Sequence, residues 1–239
     1  MMNKIKSGLL GLAVTAGLLG VGSVSDVSAR SNVNVYVQNY PSNYSEVKAE
    51  SKTYCIYTPD HLRWVSYMAS QGYDFYGYEI RLMRDIDFDD EDFYPIGTYD
   101  VHFNGTLNGN GYRIKNMNMK FSNYTGIGFI GYLGCNGVVK DLTINSSCVV
   151  EGYTNVGAIA GCNCGGKILN CSSYADVYAN GSYVGGIVGY NGVNGRVINC
   201  SVWAYADIRS GNGCYEGRFI GQNDGFNPKK CRVIRSRRI

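Results

Sequence analysis

The residues able to do chemistry are few and scattered along the 239-residue chain. The acidic run Asp85, Asp87, Asp89, Asp90, Glu91 and Asp92 has carboxylate oxygens enough to suggest calcium, but lacks the spacing and glycine of an EF-hand loop. It reads as a solvated turn. Glycoside chemistry needs two carboxylates facing one substrate across roughly 5–10 Å, and the chain beyond Gly126 holds too few acids to arrange that. His61 and His102 carry no motif around them, so neither a Ser-His-Asp nor a Cys-His arrangement can be assembled. Cys162-x-Cys164 lacks the second pair that structural zinc uses. No Gly-rich phosphate loop precedes a helix. The reading therefore expects no catalytic residue, no metal ligand and no cofactor. Tyrosines remain, 21 in all. Tyr132, Tyr183, Tyr190 and Tyr215 form the candidate binding surface, because aromatic rings on an extended sheet stack on sugars or anchor a protein partner. Exposed tyrosine is also simply a good strand former.

What must position these residues follows from composition. Apolar residues make up 45% and exclude general disorder, while 32 Gly against 4 Pro, without a Gly-x-y period, favour a turn-rich all-β chain over collagen. A net charge of +3 gives no global basic field, so nucleic acid is not an expected partner. Basic residues cluster at Lys229, Lys230, Arg232, Arg235, Arg237 and Arg238; residues 232–239 read as a basic tail, solvated or in weak contact with an anionic surface. Lys4 and Lys6, the apolar run from Gly8 to Gly22 and Val27-Ser28-Ala29 make residues 1–29 an export signal, with Arg30 as the first mature residue. The apolar run is too short for a comfortable membrane span and no second one follows. The expectation is a secreted chain with no membrane span once mature. Its nine cysteines are an odd number, leaving at least one thiol unpaired within the molecule.

Residues 30–53 read as an irregular lead-in and 54–94 as an N-terminal cap. Within the cap, Thr58 is the N-cap of a helix over Pro59–Ser70, with Pro59 at its first position, Asp60 in its first turn and Gly72 ending it. Leu62, Val65, Met68 and Ala69 form its apolar face. Tyr78 to Phe88 then alternates at a strand period.

From Pro95 to Cys231 the chain repeats. Asn155-Val-Gly157-Ala-Ile-Ala-Gly161 returns as Tyr183-Val-Gly185-Gly-Ile-Val-Gly189 and as Tyr215-Glu-Gly217-Arg-Phe-Ile-Gly221, with Gly126 to Gly131 an earlier copy. Lys167-Ile-Leu-Asn-Cys171 returns as Arg196-Val-Ile-Asn-Cys200. Copies lie 28 to 32 residues apart. That period, with only strand-length apolar runs, predicts an all-β, right-handed parallel β-helix (β-solenoid) of four to six rungs, with three short strands per rung and the helix as cap. The glycines are expected to supply positive φ at bends, and Asn163, Asn191 and Asn223 to take left-handed conformations and hydrogen-bond along a ladder. Cys171 and Cys200 should be buried in register. Cys135 and Cys164 align as well, and Cys135, Cys162, Cys164 and Cys214 are placed at accessible bends where any disulfide would form.

Pro95-Ile-Gly-Thr98, Phe103-Asn-Gly-Thr-Leu-Asn-Gly-Asn-Gly-Tyr-Arg-Ile114 and Val184-Gly-Gly-Ile-Val-Gly-Tyr-Asn191 resemble GLUG-motif proteins over roughly Tyr54 to Cys231. The resemblance implies a parallel β-helix of a secreted or surface-attached bacterial protein, of the kind found in adhesins and beside immunoglobulin A-cleaving zinc peptidases. No His-Glu-x-x-His of such a peptidase occurs. Arg113-Ile-Lys115 is similar to the Arg-x-Lys of galacturonases, without the accompanying elements in order. The function expected is a non-catalytic binding or adhesion module for glycans or cell-surface partners; the alternative is a carbohydrate-active β-helix enzyme, a lyase or hydrolase.

Overall fold

The computed structural model of the chain describes residues 49–211 and 215–235. The export signal, the lead-in up to residue 48, Cys214 and the last four residues of the tail lie outside the described residues. Short apolar runs bounded by Gly, Asn and Asp turn the backbone every few residues, so among the described residues no strand exceeds four residues. One complete turn lays down Val138–Lys140, Thr143–Ile144, Val149–Gly152, Thr154–Gly157 and Ala160–Asn163, and the next lays down Lys167–Leu169, Ser172–Ser173, Asp176–Ala179, Val184–Gly185 and Val188–Asn191. Each rung thus has five short strands, where the repeat had suggested three. One extra break falls at the left-handed corners Asp141, Asn170 and Asn199, and the other at Ala158-Ile159 and Gly186-Ile187 inside what reads as one apolar run.

Successive rungs pair in parallel, giving five sheets around one interior. The first sheet holds seven strands, one of them antiparallel, so six parallel strands stack from Thr53–Ile56 to Arg196–Ile198. Inside it, Ile80, Leu107, Val139, Ile168 and Val197 form a continuous column. The fold is a β-solenoid of about six turns with one short helix near its N-terminal end.

The helix spans Pro59–Ser70, as its start and stop signals predict. Thr58 Oγ1 accepts from the His61 N–H at 3.3 Å. At the other end Gly72 N–H donates to Ala69 O and Tyr73 N–H to Met68 O, both at 3.1 Å, a Schellman closure around Gly72 at φ +103°. Leu62, Val65, Ser66 and Ala69 are buried against the solenoid end, whereas Met68 is half-buried. Ser66 Oγ donates to Tyr94 O and Pro95 O, tying the helix to the rung beneath.

Three expected boundaries move. The lead-in is not irregular up to residue 53: Ala49–Glu50 pairs antiparallel with Thr53–Ile56 through a Ser51-Lys52 turn whose φ values are 48° and 65°. Nor does Pro95 separate a cap from the repeats. Tyr78 to Phe88 breaks into Glu79–Leu82 and Ile86–Asp87, which join the first and second sheets of the solenoid, because pairing with the next rung satisfies their backbone groups. The basic tail begins as a strand, Arg232–Ile234, stacked on Ser201–Trp203.

Candidate functional site

The four candidate tyrosines occupy two neighbouring rows. Tyr132, Cys162, Tyr190 and Gln222 stand level on the fifth sheet in consecutive rungs. With rungs about 4.8 Å apart, Tyr132 and Tyr190 lie about 10 Å from one another. Beside them runs a corner row of Gly126, Asn155, Tyr183 and Tyr215, in register with Val184↔Glu216 and Val156↔Ile127. Every member of this row is left-handed, with φ of 76°, 54°, 65° and 56°. A bulky residue there costs about 1–2 kcal/mol, so Tyr183 and Tyr215 hold a strained conformation. Their rings meet at 4.9 Å.

The corner row corrects two expectations. The repeat glycines Gly157, Gly161, Gly185, Gly189, Gly217 and Gly221 do not have positive φ. They are glycine because backbone passes where Cβ would lie: a Cβ on Gly161 would fall 2.6 Å from Ile127 N, and one on Gly157 2.6 Å from Gly189 N. Asn163, Asn191 and Asn223 are likewise not left-handed, yet their ladder exists. Asn163 Nδ2 donates to Asn191 Oδ1 at 2.8 Å, and Asn191 Nδ2 to Asn223 Oδ1 at 2.7 Å. Asn163 and Asn191 are fully buried. Leu133 stands beneath Asn163, so the Asn163 Oδ1 at the ladder's end finds no donor.

Tyr132 stacks on His102 at 5.8 Å and meets Tyr99 edge-on at 5.8 Å. Tyr99 and His102 escape sequence reasoning because they sit in a loop outside the repeat register; the Phe103↔Leu133 bridge brings that loop to the rung. Tyr190 donates its hydroxyl to Asp224 Oδ2 at 2.8 Å. That bond raises the Tyr190 pKa and, with Gln222, lowers that of Asp224. Tyr215 is the most open of the four candidates, at 57% exposed, whereas Tyr132, Tyr183 and Tyr190 are half-buried. The result is a ridged aromatic face with a hydroxyl, a carboxylate and an amide among its rings, able to stack on a sugar or a partner side chain.

Cys162 is not an accessible bend thiol. It is 3% exposed, and burial, with Cys164 beside it, pushes its pKa to about 12 against the contacts with Asn155 and Tyr132. Cys171 and Cys200 are buried as expected and lie level between Cys231 and Leu142. Cys135 and Cys164 are not level: Cys164 N–H donates to Leu133 O, which places Cys164 over Gly134 and Gly165 over Cys135. The bend between these sheets is one residue longer in the earlier rung. All eight described cysteines are free thiols.

The acidic run disperses. Lys115 Nζ pairs with Asp85 at 2.6 Å, Asp87 accepts from Asn116 at 2.7 Å, and Glu91 pairs with Arg63 at 2.6 Å. Burial alone would raise the Asp85 pKa; the bonds from Lys115 and the Arg113 N–H outweigh it and hold the carboxyl below its usual range. Asp89 and Asp90 form a left-handed turn. Among the described residues no three His, Cys, Asp or Glu side chains gather as a metal site, and no helix is long and apolar enough to cross a membrane.

No family model matches the chain. Over 58 residues, 24% of this chain, it is 41% identical to Halomucin of Haloquadratum walsbyi, covering 1% of that protein. Over 106 residues, 41% of this chain, it is 34% identical to a "Putative Gly-rich membrane protein" of Evansella cellulosilytica, covering 12% of it. The chain therefore spans a small fraction of these relatives. The crystal structure of a "putative immunoglobulin A1 protease" from Bacteroides ovatus superposes with a TM-score of 0.54 at 22% identity, over 77% of this chain and 65% of that one. The two share the solenoid fold.

Proposed function

We propose that the chain is an exported, non-catalytic binding or adhesion module that takes glycans or cell-surface partners on its tyrosine face, and that it is kin to GLUG-motif proteins. The observation that carries this reading is the outward row Tyr132, Cys162, Tyr190, flanked by the Tyr183–Tyr215 pair and by His102 stacked on Tyr132. Aromatic rings held on a rigid sheet lose little side-chain freedom on binding, which favours recognition of flat, hydroxylated or aromatic partners. The relatives named Halomucin and a Gly-rich membrane protein, and a fold shared with a protein named as an immunoglobulin A1 protease, support a role outside the cell.

The test is a glycan array beside a cell-surface extract, with the Tyr132→Ala/Tyr190→Ala double variant as comparison. Binding lost in the double variant is the expected result. Polysaccharide turnover abolished by changing Asp89, Asp90 or Arg113 would replace this reading with the carbohydrate-active enzyme.

A further inference from the structure

The outer face of the first sheet carries a second, unrelated feature. Parallel register stacks its outward residues in two rows. One row runs Glu79, Thr106, Val138, Lys167 and Arg196, and the other Arg81, Asn108, Lys140, Leu169 and Ile198. Glu79 is the acidic member of these rows, and Arg81 and Asn108 bond it at 2.8 Å and 2.6 Å. Among the described residues Lys140 and Lys167 have no carboxylate within ion-pair distance. A chain of net charge +3 thus gathers a cationic stripe on one sheet.

Both ends of the stripe are hollowed. At the N-terminal end a groove of about 600 Å³ is lined by Lys52, Tyr76, Asn104, Asn136 and Lys140, and by Glu79, whose carboxylate is engaged by Arg81 and Asn108. At the other end a cavity of about 100 Å³ is lined by Arg196, Phe226 and Lys229, with the Arg196 guanidinium 4.6 Å over the Phe226 ring. The groove walls are set by backbone. Lys52 sits in the left-handed two-residue turn, and Tyr76, 65% exposed, lies between left-handed Phe75 and Gly77 with its N–H on Asp74 at 3.0 Å.

We propose that this face binds an anionic polysaccharide laid along the solenoid axis, its carboxylates or sulfates paired with Lys140, Lys167 and Arg196 and one sugar ring stacked on Tyr76. Cations on three successive rungs, the rungs about 4.8 Å apart along the axis and Lys140 in the row beside Lys167 and Arg196, suit a single chain bearing one anion per sugar. The amides of Asn104 and Asn136 and the hydroxyl of Thr106 suit its ring hydroxyls. Duplex DNA, with a charge every 1.7 Å or so of its axis, would meet mostly amides and tyrosine here. The proposal does not rest on the tyrosine face of the fifth sheet.

Calorimetric titration of the full chain with polygalacturonate, with dextran sulfate and with neutral dextran tests it. Binding to at least one of the two polyanions, none to dextran, and a steep loss with salt are expected. The Lys140→Gln/Lys167→Gln variant should bind about tenfold more weakly with a shallower salt dependence. Tyr76→Ala should weaken binding without changing the salt slope. Tyr132→Ala/Tyr190→Ala should leave polyanion binding intact, which separates this site from the face above. The carboxylate and sulfate arms identify which anion the stripe prefers. Absence of polyanion binding, equal binding of duplex DNA, or affinity unchanged in the lysine double variant would overturn the proposal.

Discussion

Up to Phe129 the interior of the solenoid holds a pile of rings among its aliphatic side chains. Phe88 lies 5.0 Å from Phe93, Phe93 lies 5.1 Å from Phe129, and Phe75 lies 5.9 Å from Phe103, all of them buried. Beyond Phe129 the same space is filled by columns of small side chains, Val139–Ile168–Val197, Val150–Val177 and Cys171–Cys200, each on its like. The backbone follows the filling. On the third and fifth sheets the first of these rungs meets the next only through isolated bridges, Asp92↔Asn118, Ile96↔Ile130 and Phe103↔Leu133. Rings that tilt against one another do not repeat at the rung spacing. Side chains of one size do, so the later turns keep continuous register and tolerate no Cβ at the repeat glycines. One fold is thus held by plasticity of packing at one end and by identity of packing at the other.

The largest effect expected from breaking this contrast is in the ring pile. Phe93→Ala removes a fully buried ring from between two others and should cost about 3–5 kcal/mol in chemical denaturation. In the later turns the vulnerable positions are glycines. A Cβ on Gly189 would press on the backbone of Asn155 and Val156, so Gly189→Ala should cost about 1–3 kcal/mol or more by the same measurement. Gly111→Ala, where the added Cβ meets open space but φ is +80°, reports backbone strain alone at about 1 kcal/mol, and a Gly189→Ala loss no greater than that would mean that the contacts are not what selects glycine.

Thiols sharpen the comparison between interior and outward rows. Cys171→Ser replaces a polarizable thiol, which contacts Leu169 O at 3.3 Å, by a smaller and more polar hydroxyl in an apolar column and should cost about 1–3 kcal/mol. Cys162→Ser should cost less than about 1 kcal/mol although Cys162 is just as hidden, because the Asn155 and Tyr132 side chains that bond its sulfur can donate to a hydroxyl oxygen. Mass spectrometry after native alkylation should find Cys135 labelled first and Cys171 and Cys200 last.

These thiols also make stability depend on pH. Hydrogen bonding with Cys171 and burial raise Cys200 from 9.0 to about 12, and burial takes Cys162 to about 12. Between those values the folded state keeps protons that the unfolded chain releases. Their contribution is therefore whole below about pH 9 and is lost as pH rises toward about 12. Denaturation midpoints should fall above about pH 9, and fall less in Cys162→Ser. A small effect is expected at the cap as well: Thr58→Ala removes one bond to the His61 N–H and should cost about 1 kcal/mol in the same assay.

Sequence alone determined the solenoid, the helix over Pro59–Ser70, the alignment of Tyr132 with Cys162 and Tyr190, and the pairing of Cys171 with Cys200. All of these follow from a constant offset between copies or from local capping, and both are properties of the chain read in order. Tertiary structure decided what depends on how one rung lies on another. Residues 79–82 and 86–87 enter the solenoid because a neighbouring rung offers hydrogen bonds, though no repeat marks them. Asn155, Tyr183 and Tyr215 take the left-handed corner because the backbone must turn there, leaving the glycines to the close approaches. Cys162 is buried because Tyr132, Tyr190 and Asn155 surround it from other rungs and strands. The cationic stripe joins Lys52 to Arg196 across almost the whole array, and no sequence window holds both. Only the stacking of rungs brings residues so far apart in the chain onto one face.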